Sequence, residues 1–329
     1  MHDRLRYDFL IEAITPLAHA SESIGNTSLA MREKRRLPDG SFCHVPIITG
    51  DTMRHGLREA ASYALLDAAG LLEAPALGEA ALRLLFAGGM ITGSDSGAVK
   101  LEDFRAMVDL MPHLALLGGC AQNRAIPGKV YVDAADLVCQ ETAHRMPEWV
   151  TDWLRDNGVE LQSCRAHIEE VQRVRMDPTL DPSKRKLMSD GGVSVERRLA
   201  SSEHGKGVGD IALADASKSS MLPRRHETVV SGSLFFWSVA GLVHSELERD
   251  TFDTMIGAFL RDARVGGKRA TGHGRIQAIV AKQIAVQRPR DAPETLDAGA
   301  LAPRIGSLFY EHVKARKAKV ESFLRAVDA

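Results

Sequence analysis

The sequence predicts an α+β protein whose core is a ferredoxin-like, split β-α-β domain interrupted in the middle by long insertions. The first observation is a strand followed by a helix near the N-terminus, over residues 7–15 and from about residue 51. The second is a strand-helix-strand unit near the C-terminus, over residues 233–242, about 252–260 and 276–284. These units match the two halves of such a domain, so the chain between them is predicted to be inserted.

The N-terminal elements follow from apolar spacing and from turn residues. Alternation gives the first strand one apolar face, formed by Tyr7, Phe9, Ile11 and Ala13. Pro16 ends this strand, and the polar stretch over residues 19–40 is predicted as a loop. The helix after Ile48 is predicted to begin at Asp51 and Thr52, which are good N-caps. Its core stripe is Met53, Leu57, Ala60, Ala61, Ala64 and Leu65.

The middle of the chain is predicted to form short Ala- and Leu-rich helices over residues 71–157, interrupted by a strand from Lys129 to Val132. After Trp153 no aromatic residue appears before Phe235, and the interval contains several Pro and Gly residues. A segment of this composition does not bury a core of its own. We therefore predict an extended arm or hairpin that a partner orders. It carries the basic residues Arg173, Arg175, Lys184, Arg185, Lys186, Arg197 and Arg198.

The C-terminal part returns to strongly apolar patterns. Residues 233–242 (SLFFWSVAGL) are predicted as a strand that is buried on both faces. The helix after it has an inner side formed by Phe252, Met255, Ile256, Phe259 and Leu260. Residues 302–327 are predicted as one amphipathic helix. Its inward residues are Ile305, Leu308, Phe309, Val313, Val320, Phe323 and Leu324.

Charge and cysteine usage exclude several classes of protein. The 329 residues include 42 Lys and Arg against 43 Asp and Glu, so the chain does not coat nucleic acid by bulk positive charge. The charge is uneven, however, because basic residues are concentrated over residues 261–275. The four cysteines have no CxxC pair, which predicts reduced thiols without a metal site or disulfides. The sequence has no signal core and no apolar run of about 20 residues, so we expect a soluble, cytoplasmic protein.

Residues 266–275 (GGKRATGHGR) carry the first chemical signal. Four glycines let backbone amides approach an anion, while Lys and Arg side chains supply positive charge. The order helix, loop, strand excludes a P-loop and a dinucleotide fingerprint, which both run strand, loop, helix. A helix C-cap with a turn explains only one or two of the glycines. The predicted anion contacts are Gly266, Gly267, Lys268, Arg269, Gly272, His273 and Arg275.

The helix start TGDTMRHGLR carries the second signal. Arg54 and Arg58 lie one turn apart and are predicted to share an exposed face, opposite Met53 and Leu57. Basic residues in a first turn oppose the helix dipole by roughly 0.3–1 kcal/mol, and a bound phosphate reverses that penalty. Thr52, Arg54 and Arg58 are the predicted contacts, although two solvated arginines fit these residues equally well.

Five segments in a fixed order carry a family resemblance. They are a first strand that ends in ITPL, then PIITGDTMRHGLR, LLGGCAQNRAIPGKVYVDAADL, SMLPRRHETVVSGSLFFW and GGKRATGHGRI. Together they resemble the RAMP backbone subunits (Cas-seven type) of class I CRISPR effector complexes, over about residues 7–284. The helical insertion favours the type IV backbone subunit among them.

The resemblance implies a palm that is similar to an RNA-recognition motif, a helical finger and a β-hairpin thumb. The implied division is palm over 1–66, finger with one or two palm strands over 67–164, thumb arm over 165–228, second palm part with the Gly-rich loop over 229–285, and C-terminal helix over 286–329. It adds Arg173, Arg175, Arg224 and Arg225 to the predicted RNA contacts.

The resemblance also implies the partners and the role of the chain. The partners are a guide RNA (crRNA), further copies of the chain stacked head to tail, other CRISPR effector subunits, and a target nucleic acid that pairs with the guide. No cofactor or metal is implied. The guide is held through phosphates and shape, which predicts binding that does not depend on RNA sequence.

One position departs from the cleaving relatives. Type III backbone subunits cut target RNA with an Asp within Ile-Gly-x-x-Asp, and the matching stretch here ends in Ser28. A serine does not serve as a carboxylate base or metal ligand at neutral pH. Glu22, Glu33 or Asp39 can take that role only if the loop register differs. The resemblance therefore predicts a subunit without nuclease activity.

Two alternatives come from the same superfamily. One is the guide-processing endonuclease, for which His19 and His55 are the candidate general acid or base. The other is the end-capping subunit that binds the 5′ handle of the guide. A metal-dependent hydrolase is excluded because no HD, HxH or DxD cluster lies beside an apolar strand end.

Overall fold

The computed structural model describes residues 3–73, 77–89, 101–121, 124–173, 182–185, 187–189, 194, 224–285, 294–296 and 307–327. Of the residues predicted to bind RNA, Arg175 lies outside these ranges. Within them, every helix is too short or too polar to cross a lipid bilayer.

The elements are numbered in chain order. The strands are β1 (Asp3–Ala13), β2 (Ala20–Ile24), β3 (Thr27–Ala30), β4 (Arg32–Arg36), β5 (Phe42–Ile48), β6 (Gly119–Ala121), β7 (Arg124–Ile126), β8 (Val130–Val132), β9 (Ala135–Leu137), β10 (Ile168–Arg173), β11 (Arg224–Val229), β12 (Leu234–Val243), β13 (Ile276–Ala285) and β14 (Glu294–Leu296). The α-helices are α1 (Gly50–Ala68), α2 (Glu79–Leu82), α3 (Leu101–Leu110), α4 (Pro112–Leu117), α5 (Glu148–Asp156), α6 (Pro182–Arg185), α7 (Glu246–Arg261), α8 (Leu308–Ala315) and α9 (Lys317–Ala326).

A central sheet forms the frame of the molecule. Its strands follow the order β14-β13-β1-β12-β9-β5-β4, and β8 also pairs with β12. The central strand β1 is antiparallel to β12 on one side and to β13 on the other. The predicted apolar face of β1 is confirmed, because Tyr7, Phe9, Ile11 and Ala13 are all buried.

The topology of the sheet confirms the ferredoxin-like prediction. The chain runs β1, α1, then β8 and β9, then β12, α7 and β13. In space, β1 lies between β13 and β12, and β12 lies between β1 and the short strands β8 and β9. The two strands of each β-α-β half are therefore separated by one strand of the other half, as a split β-α-β unit requires. The fold is α+β, as the sequence predicted.

The main core lies between this sheet and the two helices α1 and α7. The ring of Phe9 stacks on that of Trp237 with centroids 5.1 Å apart, and Phe259 meets Trp237 edge-on at 5.9 Å. The opposite sheet face is covered by α5, whose Val150 and Leu154 pack on Leu10. Aromatic rings therefore fill the contact between the sheet and its helices.

The predicted loop over residues 19–40 is wrong, because the structure forms β2, β3 and β4 there. These strands lack an apolar face: all of β2 is exposed, and β4 has the sequence REKRR. Backbone pairing stabilises them instead, since β4 pairs with β5 and β3 pairs with β11. A second sheet results, in the order β10-β11-β3-β2.

The structure describes the two strands at the base of the predicted arm. Strands β10 and β11 are antiparallel, with Ile168 opposite Val229 and Arg173 opposite Arg224. The two strands therefore form a hairpin stem, and the chain that joins them leaves at the end marked by Arg173 and Arg224. The division into palm, finger and thumb stays a prediction, although β8 and β9 do join the central sheet.

The prediction of one continuous helix over residues 302–327 is wrong. Two helices, α8 and α9, meet at Arg316, whose backbone is not helical (φ −112°, ψ 12°). Phe309, Val313, Val320 and Leu324 are buried as predicted, whereas Leu308 is half exposed. The break lets both helices contact the cluster formed by the second half of α1 and by α3 and α4.

Candidate nucleic-acid interface

Three distant segments meet beside the end of β1, and we call their meeting point the three-segment junction: residues 15–30, 224–229 and 264–275. Leu17 and Val229 exchange two backbone hydrogen bonds of 2.8 and 3.0 Å. The N–H of Gly267 donates to the carbonyl of Ala18 at 2.7 Å, and that of Gly274 donates to Pro16 at 3.0 Å. The Gly-rich loop and the arm base are therefore fixed to the same short stretch after β1.

Two glycines of the loop at residues 264–275 are required both by their left-handed backbone conformation and by the close approach of backbone oxygens. Gly266 and Gly274 have φ of +75° and +90°, and a Cβ there would lie 2.8 Å from the Ala18 oxygen and 2.2 Å from the Val265 oxygen. Gly272 has φ +85° but open space around it. The N–H groups of Gly267, Gly272, His273 and Gly274 donate to carbonyls of the protein, so these four amides do not face an anion.

The side chains of the loop divide into two groups. Lys268 and Arg275 are exposed at the junction. Arg269 instead donates to a carboxylate oxygen of Glu59 at 2.8 Å, with both side chains about a third exposed. His273 is buried, and its Nδ1 lies 3.2 Å from the Thr271 carbonyl. The prediction that Arg269 and His273 face a ligand is therefore not supported by this geometry.

Strand β11, at the base of the arm, carries further cations. Arg224 and Arg225 are exposed on β11, and Arg225 lies 3.6 Å from Glu170 with both side chains 52% exposed. Such an exposed pair is weak, so Arg225 can exchange this partner for an anion at little cost. Arg173 stands opposite Arg224 in the strand register.

A residue that the sequence did not single out holds the junction together. Glu227 accepts a hydrogen bond from the Ala30 N–H at 2.9 Å and pairs with Arg32 at 2.9 Å. Its neighbour His226 is buried, with its ring 5.9 Å from that of His273. The Glu of the HETVV segment is the only trace of this contact in the sequence. It predicts the contact with Ala30 only when the pairing of β3 with β11 is known.

The prediction that Arg54 and Arg58 share an exposed face is wrong. Arg58 is only 8% exposed, and its guanidinium donates to the carbonyls of Gly118 at 3.0 Å and Leu117 at 3.5 Å. Arg54 donates to Val130 at 2.9 Å and also to Leu117. Burial is the main cause that lowers the pKa of both side chains, that of Arg58 to about 10. Because α4 ends at Leu117, both arginines cap its C-terminal carbonyls, where a positive charge is favourable to the dipole of α4.

The start of α1 also differs from the prediction. The N-cap is Thr49, whose hydroxyl accepts from the Thr52 N–H at 3.3 Å, and Thr52 is half-buried with its hydroxyl 2.9 Å from that of Thr49. His19 accepts a hydrogen bond from the Thr49 N–H at 3.3 Å, and burial lowers its pKa. His55 is exposed on α1. His19 therefore has a structural partner at the helix start.

Ser28 lies in a hairpin strand and not in a loop. Its hydroxyl is 3.1 Å from that of Ser23, and its backbone is in register with His226. Of the possible substitutes, Glu22 lies on β2 of the same hairpin, whereas Glu33 pairs with Arg35 on β4 and Asp39 accepts from Ser41 in the next turn. Within the described residues, no metal-binding group of three side chains includes Ser28 or any of these carboxylates.

The fold and the junction together define a ferredoxin-like domain with a second, four-stranded sheet and exposed cations at the three-segment junction. A chain of a solved structure described as "Type IV-B CRISPR Complex" shares this fold, with a TM-score of 0.51. The alignment covers 89% of this chain and 96% of that chain at 18% sequence identity. The type IV resemblance is thus confirmed at the level of the fold. No family model matches the sequence, and no curated protein matches it either.

Proposed function

We propose that this chain is a guide-RNA-binding backbone subunit of a type IV CRISPR ribonucleoprotein. Copies stack head to tail along the guide, join other effector subunits, and present the guide for pairing with a target nucleic acid. The likeness to a chain of the Type IV-B CRISPR complex supports this proposal, because it extends over nearly the full length of both chains.

The observation that carries the proposal is the group of exposed cations at the three-segment junction. Arg224, Arg225, Lys268 and Arg275 come from two segments that are distant in the sequence, and both segments contact residues 15–30. Cations grouped in this way contact phosphates without reading bases. The paired strands β10 and β11, with Arg173 opposite Arg224, start from the same part of the molecule.

Purified protein tests RNA binding directly. In the variant Arg225→Glu with Arg275→Glu, RNA that co-purifies with the protein should fall by more than about tenfold, because two phosphate contacts become repulsive. Extraction of the RNA and its quantification per protein chain measures this. Light scattering should show that the large assembly of the wild type is lost in parallel.

A charge-matched control distinguishes this site from general electrostatics. Arg155→Glu with Arg325→Glu makes the same change in net charge at exposed arginines that also have carboxylate partners. RNA content and assembly size should stay at the wild-type level in this control. Equal losses in both variants, or no loss in the junction variant, would show that the junction is not the RNA site.

We further propose that the subunit holds RNA without cutting it. Ser28 occupies the position where a cleaving relative has its Asp, and its hydroxyl contacts another serine. Assembled protein with a known guide should therefore leave complementary RNA intact with magnesium or manganese. Products at a regular spacing would identify a cleaving backbone, and processing of a precursor guide that depends on His19 or His55 would identify the endonuclease.

A further inference from the structure

Two cysteines that are far apart in the sequence lie together beside a carboxylate. Cys43 on β5 and Cys164, just before β10, have their sulfur atoms 3.6 Å apart. A carboxylate oxygen of Glu141 completes a group in which the three ligand atoms all lie within 4.8 Å of one another. Both sulfurs are also 3.9 Å from the carbonyl oxygen of His44. We call these three side chains the Cys-Glu cluster.

The spacing of the cluster fits a tetrahedral metal ion. With zinc–sulfur bonds of about 2.3 Å and a tetrahedral angle, two ligand sulfurs stand about 3.8 Å apart. The sulfurs of Cys43 and Cys164 already have nearly this separation. Two thiolates with a carboxylate form a donor set that suits zinc and excludes calcium or magnesium, which bind oxygen ligands.

The surroundings hold the carboxylate in position as an anion. Glu141 accepts hydrogen bonds from the Ser163 hydroxyl at 2.6 Å and from the Cys164 N–H at 2.7 Å. These two hydrogen bonds favour the ionised carboxylate, which is the form that binds a metal. Each oxygen keeps a lone pair for a metal. Such partners orient a ligand in the way that is usual around protein metal sites.

We propose that Cys43, Cys164 and Glu141 bind one zinc ion. Binding releases the two thiol protons to solvent and leaves two zinc–thiolate bonds and one zinc–carboxylate bond. The fourth position of a tetrahedral ion is left for water. The ion joins β5 of the central sheet to the segment that begins the arm, so it fixes the root of the arm.

Cobalt is the probe, because cobalt–thiolate bonds absorb in the near ultraviolet and tetrahedral cobalt absorbs strongly in the visible. Reduced, metal-free protein should bind one equivalent of cobalt with both absorptions, and zinc should displace it. Binding should tighten as the pH rises, because each thiol must lose its proton to bind the metal. Zinc should also raise the melting temperature.

Variants assign the ligands. Cys43→Ser and Cys164→Ser should each reduce the thiolate absorption and weaken cobalt binding by more than about a hundredfold, above the effect of losing an outer partner. Glu141→Gln should weaken binding while both thiolate contacts remain. Cys120→Ser is the control, because Cys120 lies on β6 outside the cluster. If Cys164→Ser does not fold, Cys43→Ser still decides, since Cys43 is half-buried.

Two results would overturn the proposal. One is reduced protein that shows no thiolate absorption with excess cobalt. The other is protein that binds no metal when reduced but, as purified, contains a Cys43–Cys164 disulfide, seen as a cross-linked peptide lighter by two hydrogens. That disulfide requires an oxidant such as oxidised glutathione to take two electrons, and it would identify a redox pair. Neither result depends on RNA binding, so the proposed function stands or fails separately.

Discussion

At the scale of the residue, Arg58 shows how a cation can stabilise a fold without any ligand. Its guanidinium is buried against the last carbonyls of α4, where the helix leaves backbone oxygens without intrahelical donors. His113 is fully buried in the same helix, and burial, with a smaller contribution from Arg58, lowers its pKa to about 3. The neutral histidine therefore adds no second charge beside the buried guanidinium.

Removal of the Arg58 guanidinium is therefore expected to act on stability and not on RNA. Arg58→Met keeps most of the side-chain volume but leaves the Leu117 and Gly118 carbonyls without this donor. We expect a loss of about 1–3 kcal/mol in the free energy of unfolding, the usual range for a buried group left unsatisfied. Urea denaturation measures it.

The matched control for this prediction is Arg155→Met, at an arginine whose side chain is 72% exposed. It should change the free energy of unfolding by less than about 0.5 kcal/mol. RNA content per folded chain should be unchanged in both variants. An Arg58→Met protein of normal stability that lacks RNA would restore the phosphate role predicted from the sequence.

At the scale of the element, the contact between α1 and α7 depends on one glycine. An ideal Cβ on Gly56 would lie 2.5 Å from Cε2 of Phe259, closer than carbon atoms can approach. Phe259 is nearly buried and meets Trp237 edge-on, so its ring has little room to move. Gly56 thus sets the distance between the two helices that cover the sheet.

Gly56→Ala is therefore expected to destabilise the protein although alanine is the better helix former. The propensity gain is about 1 kcal/mol. Overpacking costs typically about 1–3 kcal/mol, and the short approach to Phe259 favours the upper part of that range. We expect a lower midpoint in thermal and in urea unfolding.

A double mutant identifies the contact as the cause. Adding Phe259→Leu removes the ring that the new methyl group strikes. The double mutant should therefore lose less stability than the sum of the two single losses, with a coupling within the 0.5–3 kcal/mol typical of residues in contact. Additive losses would mean that the helices separate and that Gly56 does not set their distance.

The elements that the sequence predicted correctly are those with an apolar period. The strand around Phe9, the strand around Trp237 and the helix around Phe252 each have regularly spaced buried residues, so their spacing identifies them. The strand β4 has no such period, because Arg35 pairs with Asp136 and its neighbours face solvent. Polar strands held by backbone pairing leave no local signal of this kind.

The candidate site was predictable only in part, for a related reason. The sequence placed cations at Arg225 and, within a Gly-rich stretch, at Arg275, and the structure attaches both segments to the same stretch after β1. It could not show that Arg58 is buried, since a helical arginine has the same spacing whether it faces solvent or another helix end. Nor could it pair Cys43 with Cys164, because that contact depends on how β5 meets the arm root.

At the scale of the whole molecule, positive and negative charges nearly cancel, and only their local distribution can attract an anion. The chain has a formal net charge of −1, so it has no long-range attraction for a polyanion. Several carboxylates near the junction are already paired, as Glu227 is with Arg32 and Glu59 is with Arg269. Arg225 has a weak, exposed pair with Glu170, which a phosphate can replace, so RNA binding should depend on the junction cations rather than on the overall charge.

This local balance predicts how salt affects the binding of a single-stranded RNA. If Arg224, Arg225, Lys268 and Arg275 each neutralise one phosphate, log K should fall against log salt with a slope of about −3, at about −0.7 per phosphate. Fluorescence anisotropy with RNAs of unrelated sequence should give the same slope and similar affinities, because phosphates carry no sequence information. In Arg225→Glu with Arg275→Glu the slope should become shallower by at least about 1.4, while Arg155→Glu with Arg325→Glu should keep the wild-type slope. A flat salt response in the wild type, or a strong preference for one short sequence, would contradict binding through phosphates at the junction.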